Sequence, residues 1–232
     1  MFRDGTEAVT GVSFSLRKGE FLAVIGPSGC GKSTLLRLAS GLSRSTSGEV
    51  RRSVANIGYV FQDATLLPWR TVRGNVELLA ELDSVPRRRR DTLARDAIRL
   101  VGLEGFENHY PKALSGGMKM RVSLARALVT NPPLFLLDEP FGALDEITRG
   151  ALNEELLRLF VSERFAAIFV THSIIEAVYL SSRVLVMSPR PGRIVAELEI
   201  PFPYPRPPEL RYEAEFAHLA SEVSRALREG HS

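Results

Sequence analysis

One cysteine, Cys30, stands among 232 residues. Neither an intramolecular disulfide framework nor a Cys-rich zinc site is therefore open to the chain, which suits a reducing cytosol. Lysine is scarce as well: Lys18, Lys32, Lys112 and Lys119 are the lysines among 30 basic residues, and the rest are arginines. No apolar run approaches the ~18 positions that a membrane-crossing helix requires. Met1 to Lys18 holds no basic-then-apolar leader, so secretion is not expected. Aromatic residues are 8% of the chain, and none interrupts the densest basic run, Arg87 to Arg90. That run reads as a solvated helix start after Pro86 rather than a surface on which nucleic-acid bases stack. The formal charge of +3 points weakly to an anionic partner without choosing among nucleotide, nucleic acid and membrane surface. What is present, 44% hydrophobic and 25% charged residues, excludes wholesale disorder and fits one large domain or two lobes sharing a core.

The first third alternates apolar runs with turns. Val12 to Leu16, Phe21 to Ile25, Gly48 to Arg52 and Ile57 to Phe61 read as strands, and Ser33 to Leu42 as a helix. From Asp63 to Val129 the pattern is helical, with stripes at Val72, Val76, Leu79 and Ala80, at Leu93, Ala97, Leu100 and Val101, and at Met118, Val122, Ala125 and Val129. Strand character returns at Leu134 to Leu137, Ala166 to Val170 and Val184 to Met187, with helical stretches at Asp145 to Glu163 and Ile174 to Leu180. Such alternation predicts an α/β core with a mainly parallel sheet, into which a helical block is inserted. Five prolines in the eight positions Pro201 to Pro208 forbid helix and favour an extended tether. Beyond them Phe216, Leu219, Ala220, Val223 and Leu227 make one apolar helix face, expected to pack on the body.

Two stretches carry chemistry. Residues 26–34 read Gly26-Pro27-Ser28-Gly29-Cys30-Gly31-Lys32-Ser33-Thr34, which fits G-x-x-x-x-G-K-[ST] between a strand and a helix, the setting that pattern requires. Glycines let backbone N–H groups turn inward onto phosphate oxygens, and the helix N-terminus adds positive potential. Lys32 is then assigned to the β- and γ-phosphates and the Ser33 hydroxyl to Mg²⁺. Cys30 is either a small residue pointing away, or a thiol activated by the helix dipole and blocked by alkylation unless ATP protects it. Further on, Leu134 to Leu137 runs into Asp138-Glu139-Pro140, a buried strand delivering two carboxylates at its C-terminal end. Asp138 is expected to hold Mg²⁺ through water, and Glu139 to orient or deprotonate the attacking water. Capping of the next helix is the plainer use for two acids, and the phosphate loop weighs against it.

Between these stretches, Leu114-Ser115-Gly116-Gly117-Met118 resembles the signature sequence of ABC-type ATPases. Gln62 after Val60-Phe61 resembles their Q-loop glutamine. Gly142-Ala143-Leu144-Asp145 resembles the D-loop, and His172 in Val170-Thr171-His172 the switch histidine. Phe2 stands about where the family places the aromatic that stacks on adenine. The resemblance covers nearly the whole chain through six ordered motifs. It implies an α/β fold: a P-loop NTPase core of the ABC ATPase type with an inserted helical lobe and a small antiparallel β part. Residues 1–200 would form the ATPase domain, with the lobe at about 63–130, and residues 201–232 the tether and terminal helix.

It further implies a homodimer in the ATP state. Ser115 and Gly117 of one copy face the γ-phosphate held by Lys32 of the other, and N–H groups after Gly116 add to the grip. His172 senses the γ-phosphate, Gln62 serves both the metal and the reaction, and Asp145 couples the two sites. Met118 replaces the family's usual glutamine, and its place in a helical stripe explains it as packing. Family members also carry a strand before the adenine-stacking aromatic, so either the true start lies upstream of Met1 or that strand is missing.

If the chain is a transporter motor, the pore is a separate permease. In the family the Q-loop region and helical lobe receive the permease's coupling helices, and here Leu66, Leu67 and Trp69 beside Pro68 either line an exposed apolar docking groove or belong to the core of the helical lobe. The stretch Leu66-Leu67-Pro68-Trp69-Arg70-Thr71-Val72 together with Leu114-Ser115-Gly116-Gly117-Met118, and likewise Arg190-Pro191-Gly192-Arg193-Ile194-Val195, resembles the ATP-binding subunits of nitrate, sulfonate, taurine and related importers. That narrower resemblance implies a peripheral protein on the cytoplasmic side of the cell membrane, uptake of a small anionic or organosulfur-like solute, indirect service to a periplasmic or extracellular solute-binding protein, and no nucleic acid. A soluble ABC-type ATPase acting on nucleic acid or in protein assembly is the alternative.

Overall fold

The computed structural model describes residues 6–142 and 144–230; Phe2, the expected adenine contact, and Ala143 lie outside them. The strands are β1 (Phe21–Ile25), β2 (Ile57–Val60), β3 (Leu134–Asp138), β4 (Ala166–Thr171), β5 (Arg183–Met187) and β6 (Ile194–Glu199). They form a six-stranded sheet in the order β2-β3-β4-β1-β5-β6. Neighbours pair in parallel except β5 with β6. Every residue of β1 and β4 is buried, because helices cover both faces, and this is why these strands read as continuous apolar runs. Phe21, Ala23 and Ile25 enter the larger core; Leu22 and Val24 enter a second one with Leu35 and Leu36. β6 was not anticipated, although its period-two pattern of half-buried Ile194, Ala196 and Leu198 between exposed Val195, Glu197 and Glu199 is that of an edge strand.

The helices are α1 (Lys32–Ser40), α2 (Val72–Val76), α3 (Leu78–Leu82), α4 (Arg87–Leu100), α5 (Gly116–Leu128), α6 (Glu146–Glu163), α7 (Ile174–Leu180) and α8 (Ala214–Glu229). α2 to α5 pack together through Val72, Val76, Ala94, Ile98, Met120 and Leu124. Two strand expectations fail for want of a partner or a face. Val12, Phe14 and Leu16 do turn inward in alternation, but the segment joins no ladder; residues 48–52 are all exposed and have no apolar side to bury. The antiparallel pairing of the described residues lies in β5 and β6.

Residues 201–207 form neither helix nor strand, and Pro208–Tyr212 then forms a short 3-10 helix. The segment is strapped down rather than free. Arg206, 5% exposed, donates from Nη1 to the carbonyls of Val178, Tyr179 and Ser181 at 3.0, 2.8 and 2.9 Å. Those are carbonyls at the C-terminus of α7, where orphan acceptors and the helix dipole both favour a cation. Arg211 lies over the Tyr179 ring, 3.7 Å from its centroid.

Candidate nucleotide site

The register of the sheet assembles the site. Ile25 lies opposite Thr171, and Asp138 opposite Val170, so the carboxyl ends of β1, β3 and β4 emerge side by side. This is the edge at which open α/β sheets bind ligands. The loop after β1 turns into α1 at Gly31, whose φ is 106°. A Cβ there would lie 2.6 Å from Val9 Cγ1 and 2.7 Å from the Ala8 carbonyl oxygen, so both conformation and space require glycine. Lys32, 5% exposed, donates through Nζ to the carbonyls of Gly26 at 2.9 Å and Pro27 at 3.1 Å. Its ammonium thus sits inside its own loop, as a phosphate-binding lysine must.

Ser33 Oγ donates to Asp138 Oδ1 at 2.9 Å, joining residues 105 positions apart. Burial pushes the Asp138 carboxyl up from its ordinary value, and the Ser33 hydrogen bond offsets part of that. The pair presents two hard oxygen donors. Among the described residues no group of three or more His, Cys, Asp or Glu side chains forms a metal site. Mg²⁺ suits such a donor set, since it takes one or two protein oxygens and fills its octahedron with waters and substrate phosphates.

Glu139 follows with φ 45°, a costly backbone for a residue other than glycine and one that concentrates at functional sites. Its Oε1 stands 3.5 Å from Lys32 Nζ and its Oε2 3.2 Å from His172 Nδ1. Lys32, Ser33, Asp138, Glu139 and His172 are therefore brought into one constellation by the fold. Gln62 is exposed two residues beyond β2, at the same edge, since β2 pairs with β3.

Ser115, Gly116 and Gly117 are placed elsewhere. Ser115 caps α5, its Oγ accepting from the Met118 N–H at 3.3 Å, and it engages that helix rather than the phosphate loop. A Cβ on Gly117 would lie 2.8 Å from Thr148 Cγ2, so glycine lets α5 approach the start of α6. Met118 is half-buried against the larger core, as packing demands. Asp145 caps α6, with Oδ1 accepting from the Thr148 N–H at 2.9 Å. That bond holds its carboxyl below the ordinary value.

Burial bears on the two readings of Cys30. The side chain is buried with Leu22, Leu36 and Met187, and desolvation pushes the thiol up despite the charge of Lys32. Alkylation by iodoacetamide at pH 8 is expected to be about tenfold or more slower in the native chain than in the unfolded one, followed by mass spectrometry. Rapid labelling that ATP prevents would restore the activated thiol.

Sequence reasoning missed the support beneath this loop. Arg190 Nε donates to the Gly29 carbonyl at 3.1 Å, and a Cβ on Gly192 would stand 2.1 Å from the Cys30 carbonyl oxygen. Proline and glycine around an arginine marked a tight turn, but nothing local said what it touches. Also missed was Arg126, buried on α5, which donates to the carbonyls of Thr65 at 3.0 Å and Ala64 at 2.9 Å. It ties the loop after Gln62 to α5, the helix that Ser115 caps.

The defining pattern of the family described as ABC transporter matches residues 9–142, more than half the chain. An uncharacterized ABC transporter ATP-binding protein of Methanocaldococcus jannaschii is 45% identical over 230 residues, covering 96% of this chain and 85% of that protein. The aliphatic sulfonates import ATP-binding protein SsuB of Bacillus cereus is 44% identical over 207 residues, 86% of this chain and 81% of its own length. Among solved structures, a dimeric post-hydrolysis state of an ATP-binding cassette bound to ADP and Pi superposes with a TM-score of 0.75. It is 32% identical and covers 84% of this chain and 91% of that one.

Proposed function

The chain belongs to the ABC transporter family of ATP-binding proteins, and on that premise we propose that it powers an importer by closing and reopening as a homodimer. As an ABC ATPase it binds and hydrolyses ATP. The observation that carries the mechanism is the convergence of Lys32, Ser33, Asp138, Glu139 and His172 at one sheet edge. Lys32 and the inward N–H groups of residues 26–34 hold the phosphates. Ser33 and Asp138 would hold Mg²⁺, with Gln62 reaching it from the end of β2, and the ion would supply charge neutralisation at the phosphates. Glu139 orients the attacking water and takes its proton, and His172, against Glu139, is the group that distinguishes ATP from ADP.

Ser115 and Gly117 lie at a helix N-terminus that favours an anion, and they engage the γ-phosphate held by the second copy. Moving an open–closed equilibrium from 1:99 to 99:1 takes about 5.5 kcal/mol. Two γ-phosphates, each held by several charge-assisted hydrogen bonds of ~1.5–3 kcal/mol, supply that difference. Hydrolysis removes it.

Among the described residues no helix is long and apolar enough to cross a membrane, and the fitting partner is a separate integral-membrane permease. Its docking place is a cleft of about 430 Å³ lined by Trp69, Arg70, Glu81, Arg87, Arg90 and Tyr110 among others. Trp69 is 70% and Tyr110 46% exposed, whereas Leu66 packs against the core instead of the groove. Asn75, fully buried, holds the loop that bears Trp69. Its Nδ2 donates to the carbonyls of Leu67, Arg70 and Thr71, and its Oδ1 accepts from the Leu67 N–H.

The sulfonate-importer relative supports a small anionic or organosulfur-like solute, delivered by an external solute-binding protein to a complex whose ATPase sits on the cytoplasmic face. The tagged chain is expected to retain its permease through purification from membranes, and Trp69→Ala to reduce that recovery about tenfold. ATPase activity stimulated by DNA or RNA, with no permease recovered, would favour the soluble alternative.

A further inference from the structure

Glu176 is a buried carboxylate, 5% exposed, four residues after His172 and unused by the mechanism above. Its Oε2 accepts from the Thr171 hydroxyl, and Thr171 Oγ1 in turn accepts from the Ser173 N–H at 3.0 Å. Ser173 Oγ accepts from the Glu176 N–H at 3.3 Å, which caps α7. Thr171, on one side of His172, is therefore clipped to the Glu176 carboxylate, and Ser173, on the other, to Thr171 and to the Glu176 backbone. Burial pushes that carboxyl up, while Thr171, Arg149 and His172 draw it back. On the far side stands Arg149, in the first turn of α6. Its Nη2 donates to the Leu144 carbonyl at 2.8 Å, and its Nε lies 3.8 Å from Glu176 Oε1. That Nε is buried with no hydrogen-bond partner, so the contact with Glu176 is slack by somewhat less than 1 Å against an ordinary N–H···O bond of about 2.9 Å.

We propose that Arg149 and Glu176 are positioning residues forming a relay between the Leu144-Asp145 loop and the His172 loop, so that a movement of one sets the other. The guanidinium suits this use because, with Nη2 already on the Leu144 carbonyl, its rigid fork points Nε at Glu176, so closing the slack couples the two elements, which a lysine ammonium on a flexible stem does poorly. The loop that carries Asp145 lies beside Ser115 and Gly117, since a Cβ on Gly116 would meet Leu144 Cδ2 at 3.5 Å. A second copy seated there would press on the same loop. The relay rests on the roles given above to His172 and Asp145, and it adds the path by which closure at one site aligns the histidine at the other.

The test is steady-state ATP hydrolysis by the full chain together with its melting temperature, for Arg149→Met, Arg149→Lys, Glu176→Gln and the Arg149→Met/Glu176→Gln double variant. Each of Arg149→Met and Glu176→Gln is expected to lower kcat about tenfold with KM for ATP within about twofold. The double variant should be no slower than the slower single one, because both changes cut the same link. Arg149→Lys keeps the charge beside Glu176 and should restore the melting temperature but not kcat. A fall in melting temperature with kcat intact, additive losses in the double variant, or recovery of kcat by lysine would each reduce the pair to a structural ion pair. Wild-type hydrolysis and its loss in Glu139→Gln are measured alongside, so failure of the relay is distinguishable from failure of the ATPase mechanism itself.

Discussion

Replacing Glu139 by glutamine is expected to lower ATP turnover by about a thousandfold while leaving ATP affinity within a few fold, measured by phosphate release and by equilibrium nucleotide binding. General-base catalysis is worth ~10²–10⁴ in rate, and glutamine keeps the volume and the acceptor oxygen but cannot take a proton from water. The geometry makes the separation of binding from turnover sharp. Glu139 reaches the phosphate loop through Lys32, at 3.5 Å, and otherwise contacts His172 at 3.2 Å, while Lys32 keeps its bonds to the Gly26 and Pro27 carbonyls. Glutamine leaves the backbone unchanged and replaces one carboxyl oxygen by an amide nitrogen, removing the charge that faces Lys32 and His172. Turnover near the wild-type value would remove Glu139 from the reaction.

Lys32→Met is expected to weaken ATP binding by about a hundredfold or more, read by displacement of a fluorescent nucleotide, with turnover lost as a consequence. The lysine is buried and spans Gly26, Pro27 and Glu139. Its removal therefore deletes a charge-assisted contact to phosphate and also leaves two carbonyls without their donor. Glu139→Gln and Lys32→Met should thus fail at different steps, one binding without reacting and the other not binding. Undiminished affinity in Lys32→Met would mean that backbone N–H groups alone hold the phosphates.

What the sequence disclosed and what it hid divide along a physical line. The phosphate loop was legible because strand, glycine turn and helix are contiguous and each residue's task is local. Asp138 and Glu139 were legible because four apolar residues describe a buried strand, and the phosphate loop weighed against mere helix capping by the two acids that follow. Arg126, Arg149, Arg190 and Arg206 were not, because their partners are mostly backbone carbonyls, and a carbonyl has no letter in the sequence. The surplus of arginine over lysine acquires part of its meaning here. The guanidiniums of Arg126, Arg190 and Arg206 each join segments far apart in the chain, a task for a planar fork of donors. The strand expectations at Val12 to Leu16 and Gly48 to Arg52 failed because alternation or composition describes a segment's faces but not whether a neighbour stands beside it. The prolines of 201–208 forbade an α-helix, as expected, but said nothing of the buried Arg206 that fastens them.

The central claim is that two copies share their ATP sites, Lys32 of one facing Ser115 and Gly117 of the other. The most direct measurement is the solution mass of Glu139→Gln by light scattering, with ATP and Mg²⁺ and again with ADP. A dimer in ATP that returns to monomer in ADP is the expected result. A monomer in saturating ATP would contradict the shared site.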